Sequence, residues 1–427
     1  MTHFGIICPP GPGHLNPMTA LGRELQRRGH RVTILGILDA QAYAEAAGLE
    51  FWAIVESEFP LGSIAKMLNQ IGKMNGLAAL RYSLNAYKES AAVILRETPT
   101  ALRRSGIEAL LLDETQSEGS TVAEFLQIPF ITVSCALTLY PEDSIPPFFT
   151  TWSFNHAWWA VLRNKLVMSL LRWFAQPIQE VVNNYRQQWN LPLRSNSYEF
   201  YSKLAIISQQ PAEFEFPRRK LPPHLHFTGP LYDDAGRQDI DFPYEKLNGK
   251  PLIYASLGTV QNRLQYVFRT IAQACEGLEY QLVISLGGAL DPETLLNLPG
   301  EPLVVKYAPQ MELLRKASLT ITHAGMNTTL ESLSNGVPMI AIPIANDQPG
   351  VAARIAWTGV GEFVPVANVS VSKLRTAIKQ VLTQDSYRQN ALRLQAAIHR
   401  SGGVNYAADI VEKAVATGKP VLSSVEV

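Results

Sequence analysis

Between residues 303 and 348, three short runs at 303–306, 319–322 and 339–342 each give way at once to a polar loop, and no other stretch restricts the fold as tightly. Short apolar runs bounded by turn-forming residues read as buried strands, and the intervals between these are long enough for helices. Strands that alternate with helices demand a parallel sheet, because a parallel connection needs a crossover. The polar loops then gather along one edge of that sheet, at the strand C-terminal ends, where open α/β sheets hold ligands. They are Lys306-Tyr307-Ala308-Pro309-Gln310, the stretch from Thr322 through His323, Gly325 and Asn327 to Glu331, and Pro343-Ile344-Ala345-Asn346-Asp347-Gln348.

The same alternation recurs along the chain. Residues 4–8 read as a buried strand, 9–13 as a turn and 16–28 as a helix with Leu21 and Leu25 on its apolar face; Gly29-His30 ends it and 32–38 form a second strand. A second series starts after the Pro-rich stretch 216–230, with strands at 252–255 and 281–285 preceding the three already named. A length of 427 residues exceeds what one core usually supports. Residues 230–249, rich in Asp, Pro and Gly, read as a linker. The expected organisation is an N-terminal Rossmann-like domain over 1–229, the linker 230–249, a C-terminal Rossmann-like domain over 250–400, and a closing segment 401–427 whose helix packs back on the first domain.

Charge narrows the range of partners. Lys+Arg and Asp+Glu are both 37, so no global field gathers nucleic acid or acidic lipid, and a neutral or lipophilic partner fits better. Cys8, Cys135 and Cys275 lie far apart without CxxC spacing and read as buried free thiols suited to a cytoplasmic setting. Neither a signal-peptide pattern nor a run of about 20 apolar residues is present in the sequence. The expected state is a monomer.

Each polar loop carries residue types suited to one part of a nucleotide sugar. Tyr307 offers a face on which a flat base can stack, and the Ala308 backbone can read its edge. Gln310 and Glu331 can bond ribose hydroxyls. Gly325 lets the chain approach a ligand closely, and Asn327 and Thr328 open a helix whose free amides and dipole attract phosphate, with His323 beside them. Asp347 and Gln348 can hold adjacent hydroxyls of a hexose. Ser256-Leu257-Gly258-Thr259, after the strand 252–255, reads by itself as a β-to-α turn and together with the others as a further diphosphate loop.

This ordered set, A-P-Q, H-x-G-x-N-[ST]-x-x-E, G-V-P and D-Q, resembles that of the UDP-dependent glycosyltransferases of the GT-B fold, the family that includes plant natural-product, bacterial macrolide and carotenoid glycosyltransferases. The resemblance covers nearly the whole chain and implies two Rossmann-like domains facing each other across a cleft, acceptor-binding over 1–229 and UDP-sugar-binding over 250–400. It also implies that Tyr307 takes a place often held by tryptophan, that Met326 replaces a tryptophan of the plant version, and that Asn346 is a non-plant choice beside the sugar.

An inverting transfer needs a base on the acceptor hydroxyl. His14, after the first strand, could by position alone be a helix cap, a core residue or that base; the resemblance assigns it the base, since the family carries a matching G-H there. Asp113, closing the run 109–112, matches the family aspartate that orients the imidazole, with Glu114 as its rival on the opposite strand face. The implied reaction moves a hexose, glucose from UDP-glucose, to a hydroxyl of a hydrophobic small molecule of polyphenol, terpenoid, carotenoid or macrolide type. It requires no cofactor besides the donor and no metal. The rivals are a UDP-sugar hydrolase or epimerase, and a non-catalytic nucleotide-binding partner protein. Asp239-Ile240-Asp241 is a literal D-x-D of the kind that holds a divalent cation on a diphosphate, but it falls in the linker. Gly11-Pro12-Gly13 lacks the third glycine of a dinucleotide fingerprint. Residues 56–87 and 140–173 carry the apolar stretches suited to an acceptor pocket. Trp159, Leu162, Leu166, Leu170 and Trp173 share a helical face that reads as packed on the core, as a pocket wall or as a peripheral membrane contact.

Overall fold

The computed structural model describes residues 1–71, 76–233, 240–259, 264–288 and 290–423. Their strands form two parallel sheets. The first contains β1 (His3–Ile7), β2 (Arg31–Gly36), β3 (Glu50–Ala53), β4 (Ala109–Asp113), β5 (Phe130–Ser134), β6 (Ile206–Ser208) and β7 (Leu225–Phe227), in the order β3-β2-β1-β4-β5-β6-β7. The second contains β8 (Leu252–Ser256), β9 (Gln281–Ser285), β10 (Leu303–Val305), β11 (Ala317–Thr322), β12 (Met339–Ala341) and β13 (Gly361–Phe363), in the order β10-β9-β8-β11-β12-β13. Strands buried on both faces, such as β1, β4 and β8, are continuous apolar runs, as helix-covered parallel sheets require.

Both sheets reverse their winding direction once. In the first, the chain runs outward from β1 to β3 and then returns to the other side of β1 with β4; in the second, β11 stands in the same relation to β8. At such a reversal the two crossovers leave in opposite directions and open a crevice beyond the strand ends. The crevices lie beyond Ile7 and Asp113 in one sheet and beyond Ser256 and Thr322 in the other.

The two units also share a core. Leu137 and Phe214 from the first pack with Met326, Leu330, Val351 and Ile355 from the second. The closing helix, Gly403–Thr417, returns to the first sheet, burying Ala407, Ile410, Val411 and Ala414 with Leu21 and Leu25 of the first helix.

Some elements differ from the sequence-based expectation. The first helix spans Pro12–Arg27 rather than starting at residue 16, because Pro12 sits at a position where its missing N–H costs nothing and its ring presets φ. β7 lies inside the stretch read as merely Pro-rich, and β13 was not anticipated; both have three residues, too short to show a period. All three cysteines are buried and free. No helix among the described residues is long and apolar enough to cross a membrane. Asp239 of the D-x-D lies outside the described residues, while Asp241 is exposed.

Candidate active site

The first crevice places a histidine on a carboxylate. His14 lies in the opening turn of the helix that follows β1, and Asp113 is the last residue of β4, the strand paired beside β1. The Nδ1 of His14 donates to Oδ2 of Asp113 across 2.8 Å. Asp113 is 1% exposed, and its second oxygen accepts from the Thr115 amide (2.9 Å) and hydroxyl. Burial pushes the Asp113 carboxyl up, but the His14 charge and the hydrogen bonds from His14 and Thr115 outweigh it and hold its pKa below the ordinary value. Burial likewise disfavours the imidazolium of His14, and the Asp113 carboxylate, with Asp347 adding its charge, outweighs that and raises the histidine's pKa.

Glu114 points elsewhere. Its Oε1 accepts from the Leu139 amide (2.7 Å) and the Tyr201 hydroxyl (2.6 Å), and burial pushes its pKa up to about 7. Glu118 and Tyr87, singled out by nothing in the sequence, lie within reach of the Asp113 charge. Burial, reinforced by that charge, raises both pKa values, that of Glu118 to about 7.

The second crevice is framed by loops after β8, β10, β11 and β12. The loop after β8 begins at Ser256, whose Oγ accepts from the Gly258 amide at 3.2 Å; Thr259 is exposed at its tip. His323 follows β11 and lies against this loop. Burial, only partly offset by the Ser256 backbone, lowers its pKa to about 4, so the ring is neutral at ordinary pH. A Cβ on Gly258 would fall 2.6 Å from the ring's Cε1, and one on Gly325 would fall 2.5 Å from its Nε2. Gly325, expected to admit a ligand, therefore first of all admits the His323 ring.

Helix Met326–Ser334 follows, with Gly325 as its N-cap, so the amides of its first turn face the crevice without intrahelical acceptors. Gln310, at the start of the helix after β10, accepts from the Tyr254 hydroxyl (3.0 Å) and donates to Glu331 and Thr328, which brings the three polar groups together. Ala308 is buried, and Tyr307 stands 48% exposed with its ring lying over Gly288, where a Cβ would collide with it.

Two predicted residues are engaged differently from expectation. The side chain of Asn327 bridges the units rather than lying open toward phosphate: its Oδ1 accepts from Gln209 (2.9 Å) and its Nδ2 donates to the Gly13 carbonyl (3.3 Å). That carbonyl is available because residue 17, which would bond it within the helix, is a proline. Gln348 turns its Oε1 inward to accept from the amides of Ile344 (2.9 Å) and Ala345 (3.0 Å), fixing its own loop. Asp347 reaches across to the Leu137 amide at 3.0 Å and contributes its charge to His14. The Met326 side chain is buried in the shared core, so the helix meets the crevice through its backbone.

Sequence reasoning missed Gln209 and Tyr43. Tyr43, in the helix Gln41–Ala46 of the first unit, lies close enough to Tyr307 of the second for the two phenols to interact, adding to the larger effect of burial on Tyr43. Gln209 had a signal: it directly follows the short strand β6, at the same sheet edge as Asp113.

Two doubly wound sheets, with a histidine–carboxylate pair at one switch point and an amide-rich, glycine-lined crevice at the other, form the arrangement that the GT-B resemblance implies. Residues 13–406 match the family described as UDP-glucoronosyl and UDP-glucosyl transferase, and the chain belongs to it. It is 32% identical over 425 residues to a zeaxanthin glucosyltransferase of Pantoea ananas, covering 99% of this chain and 98% of that one. A zeaxanthin glucosyltransferase of Pseudescherichia vulneris is 30% identical over 424 residues, covering 99% and 100%. The fold is similar to that of the solved glycotransferase of kitacinnamycin, with a TM-score of 0.76 at 22% identity over 97% of this chain and 99% of that one.

Proposed function

We propose that the enzyme transfers a hexose, glucose from UDP-glucose, to a hydroxyl of a hydrophobic small molecule with inversion at the anomeric carbon. The observation that carries this reading is the His14–Asp113 hydrogen bond at the crevice of the first sheet. With Nδ1 held by Asp113, Nε2 is the nitrogen left to take the acceptor's hydroxyl proton as the oxygen attacks. The new bond forms as the bond from the anomeric carbon to the β-phosphate oxygen breaks, and UDP leaves with the electron pair.

The leaving charge falls to the first-turn amides of helix Met326–Ser334, the neutral His323 ring, Thr328, and Ser256 and Thr259 of the β8 loop. Tyr307 and Ala308 receive the base, Gln310 and Glu331 the ribose, and Asp347 and Gln348 the hexose. No metal takes part in this scheme. The acceptor enters from the first unit, beside Tyr87, Glu118 and the loop that carries Leu137, Tyr140 and Phe148. The hydroxylated carotenoid named for the two relatives is one acceptor of the expected chemistry.

UDP release from UDP-glucose is the test, with and without a panel of phenols, hydroxylated terpenoids and hydroxycarotenoids. Acceptor-dependent release and a β-linked product are expected, with loss of about 10²–10⁴ in kcat for His14→Ala. Release indifferent to every acceptor, or transfer unchanged in His14→Ala, would overturn the reading.

A further inference from the structure

The helix Trp158–Gln188 turns its tryptophans outward. Of its 31 residues only Ala160, Asn164, Val182 and Arg186 are buried. Its C-terminal half is anchored on the first unit, with Val182 in the core and the Arg186 guanidinium donating to Thr121 at 3.1 Å. The N-terminal half stands free on one side. Trp158, Trp159, Leu162, Leu166, Leu170 and Trp173 are 47–77% exposed and at helical spacing form one continuous stripe. Of the readings the sequence left open for this face, packing on the core does not hold: it is a solvent face.

Its rims are basic. From residue 158 to residue 179 the helix carries Arg163, Lys165 and Arg172 and no acidic residue. Arg163 lies on one side of the stripe, its guanidinium 3.8 Å from the centroid of the Trp152 ring, while Lys165 and Arg172 project on the other. Tryptophans at both ends, leucines between them and long cations on both rims match the layered chemistry of a bilayer interface. There indoles sit at the headgroup level, acyl chains take the leucines, and cations reach up to phosphate.

The side of the helix away from the stripe supplies Met168 to a small cavity bordered by Leu137 and Phe148, with Arg172 at its edge. Leu137 in turn bonds Asp347, next to His14. The outward stripe and the cavity are thus the two sides of one helix.

We propose that this stripe docks the enzyme on the surface of an anionic lipid bilayer, lying in the interface rather than crossing it. A second copy of the chain is a poorer occupant. Pairing the stripe with itself would bring the basic rims of two helices together, with no acid between residues 158 and 179 of either to neutralise them. The docking surface does not depend on which acceptor or sugar is used.

Co-sedimentation of the full chain tests it, with vesicles of phosphatidylcholine alone and of phosphatidylcholine containing about one-third phosphatidylglycerol. The wild type is expected to sediment with the mixed vesicles, partitioning about tenfold more strongly than on phosphatidylcholine. Leu166→Glu/Leu170→Glu should lose at least about tenfold in partitioning while keeping the wild-type melting midpoint. Lys165→Glu, a milder change at an exposed position, should remove part of the anionic increment alone. Failure of the wild type to sediment with either vesicle, sedimentation of the double variant like wild type, or indifference of the increment to Lys165→Glu would overturn the proposal. So would a soluble dimer that the double variant dissociates, found together with no vesicle binding, since the stripe would then be a subunit contact.

Discussion

His14 is pulled in two directions, and the balance sets how the enzyme should respond to pH. Burial favours the neutral ring, while Asp113 and Asp347 favour the charged one and prevail. A base must be unprotonated to work, so kcat/KM should fall on the acid side through a pKa above the ordinary imidazole value of about 6.5. In Asp113→Asn the raising charge is gone but the burial remains. The acid limb should then move to lower pH, with kcat reduced by about 10²–10⁴, which a pH–rate profile of both proteins measures. An acid limb that stayed in place would mean that Asp113 does not govern the proton on His14. Asp113 was legible because it closes a strand, whereas His14, in the first turn of the helix after β1, was open by position alone and was picked out by the G-H resemblance. Asn327 was legible only as a position at a helix start. The partners of its side chain, Gly13 and Gln209, are set by how two distant units meet, and no local pattern encodes that.

At the level of elements, the donor crevice depends on the close approach of the β8 loop to the β11 loop. Gly258 has φ of +75° and stands against the His323 ring, so two independent constraints exclude a side chain there. Gly258→Ala should destabilise the fold by about 1–3 kcal/mol and weaken UDP binding by displacing His323. Thermal melting with and without UDP reads both effects, and a variant with unchanged melting and an unchanged UDP shift would refute the packing argument. The strand–loop order from β8 to β12 was readable because apolar runs and polar turns alternate there without interruption. The orientation of helix Trp158–Gln188 was not. Periodicity identifies which residues share a face, but it says nothing about whether that face meets the core or the solvent.

Across the whole molecule, the two units are joined by a buried charge cluster. Arg354, on the helix Gln348–Trp357, donates to Glu215 of the first unit at 2.8 Å, with both side chains 1% exposed; Arg218 lies 3.5 Å from the other carboxylate oxygen, which also accepts from Gln210. Burial pushes the Glu215 pKa up, but Arg218 and Arg354 bring it below the ordinary value. Its contribution is therefore present at neutral pH and lost as pH falls through that lowered value. Glu215→Ala leaves two buried guanidinium groups without their carboxylate and should cost about 3–5 kcal/mol. Urea denaturation at pH 7 measures it, and a loss below about 1 kcal/mol would show that the cluster does not hold the units together. The presence of two α/β halves was legible from the repeated alternation of strand and helix. The pairing of Glu215 with Arg354, 139 residues apart, was not.

The closing helix has a consequence for how the molecule is made. Arg28, at the end of the first helix, bonds Asp409 and Glu412, and Leu21 and Leu25 share a core with Ile410 and Val411. During synthesis the N-terminal sheet emerges first, yet part of its wall arrives only when residues 403–417 leave the ribosome. Until then the growing chain presents an apolar face of the first helix to its surroundings, and the half made earliest is among the last to be sealed.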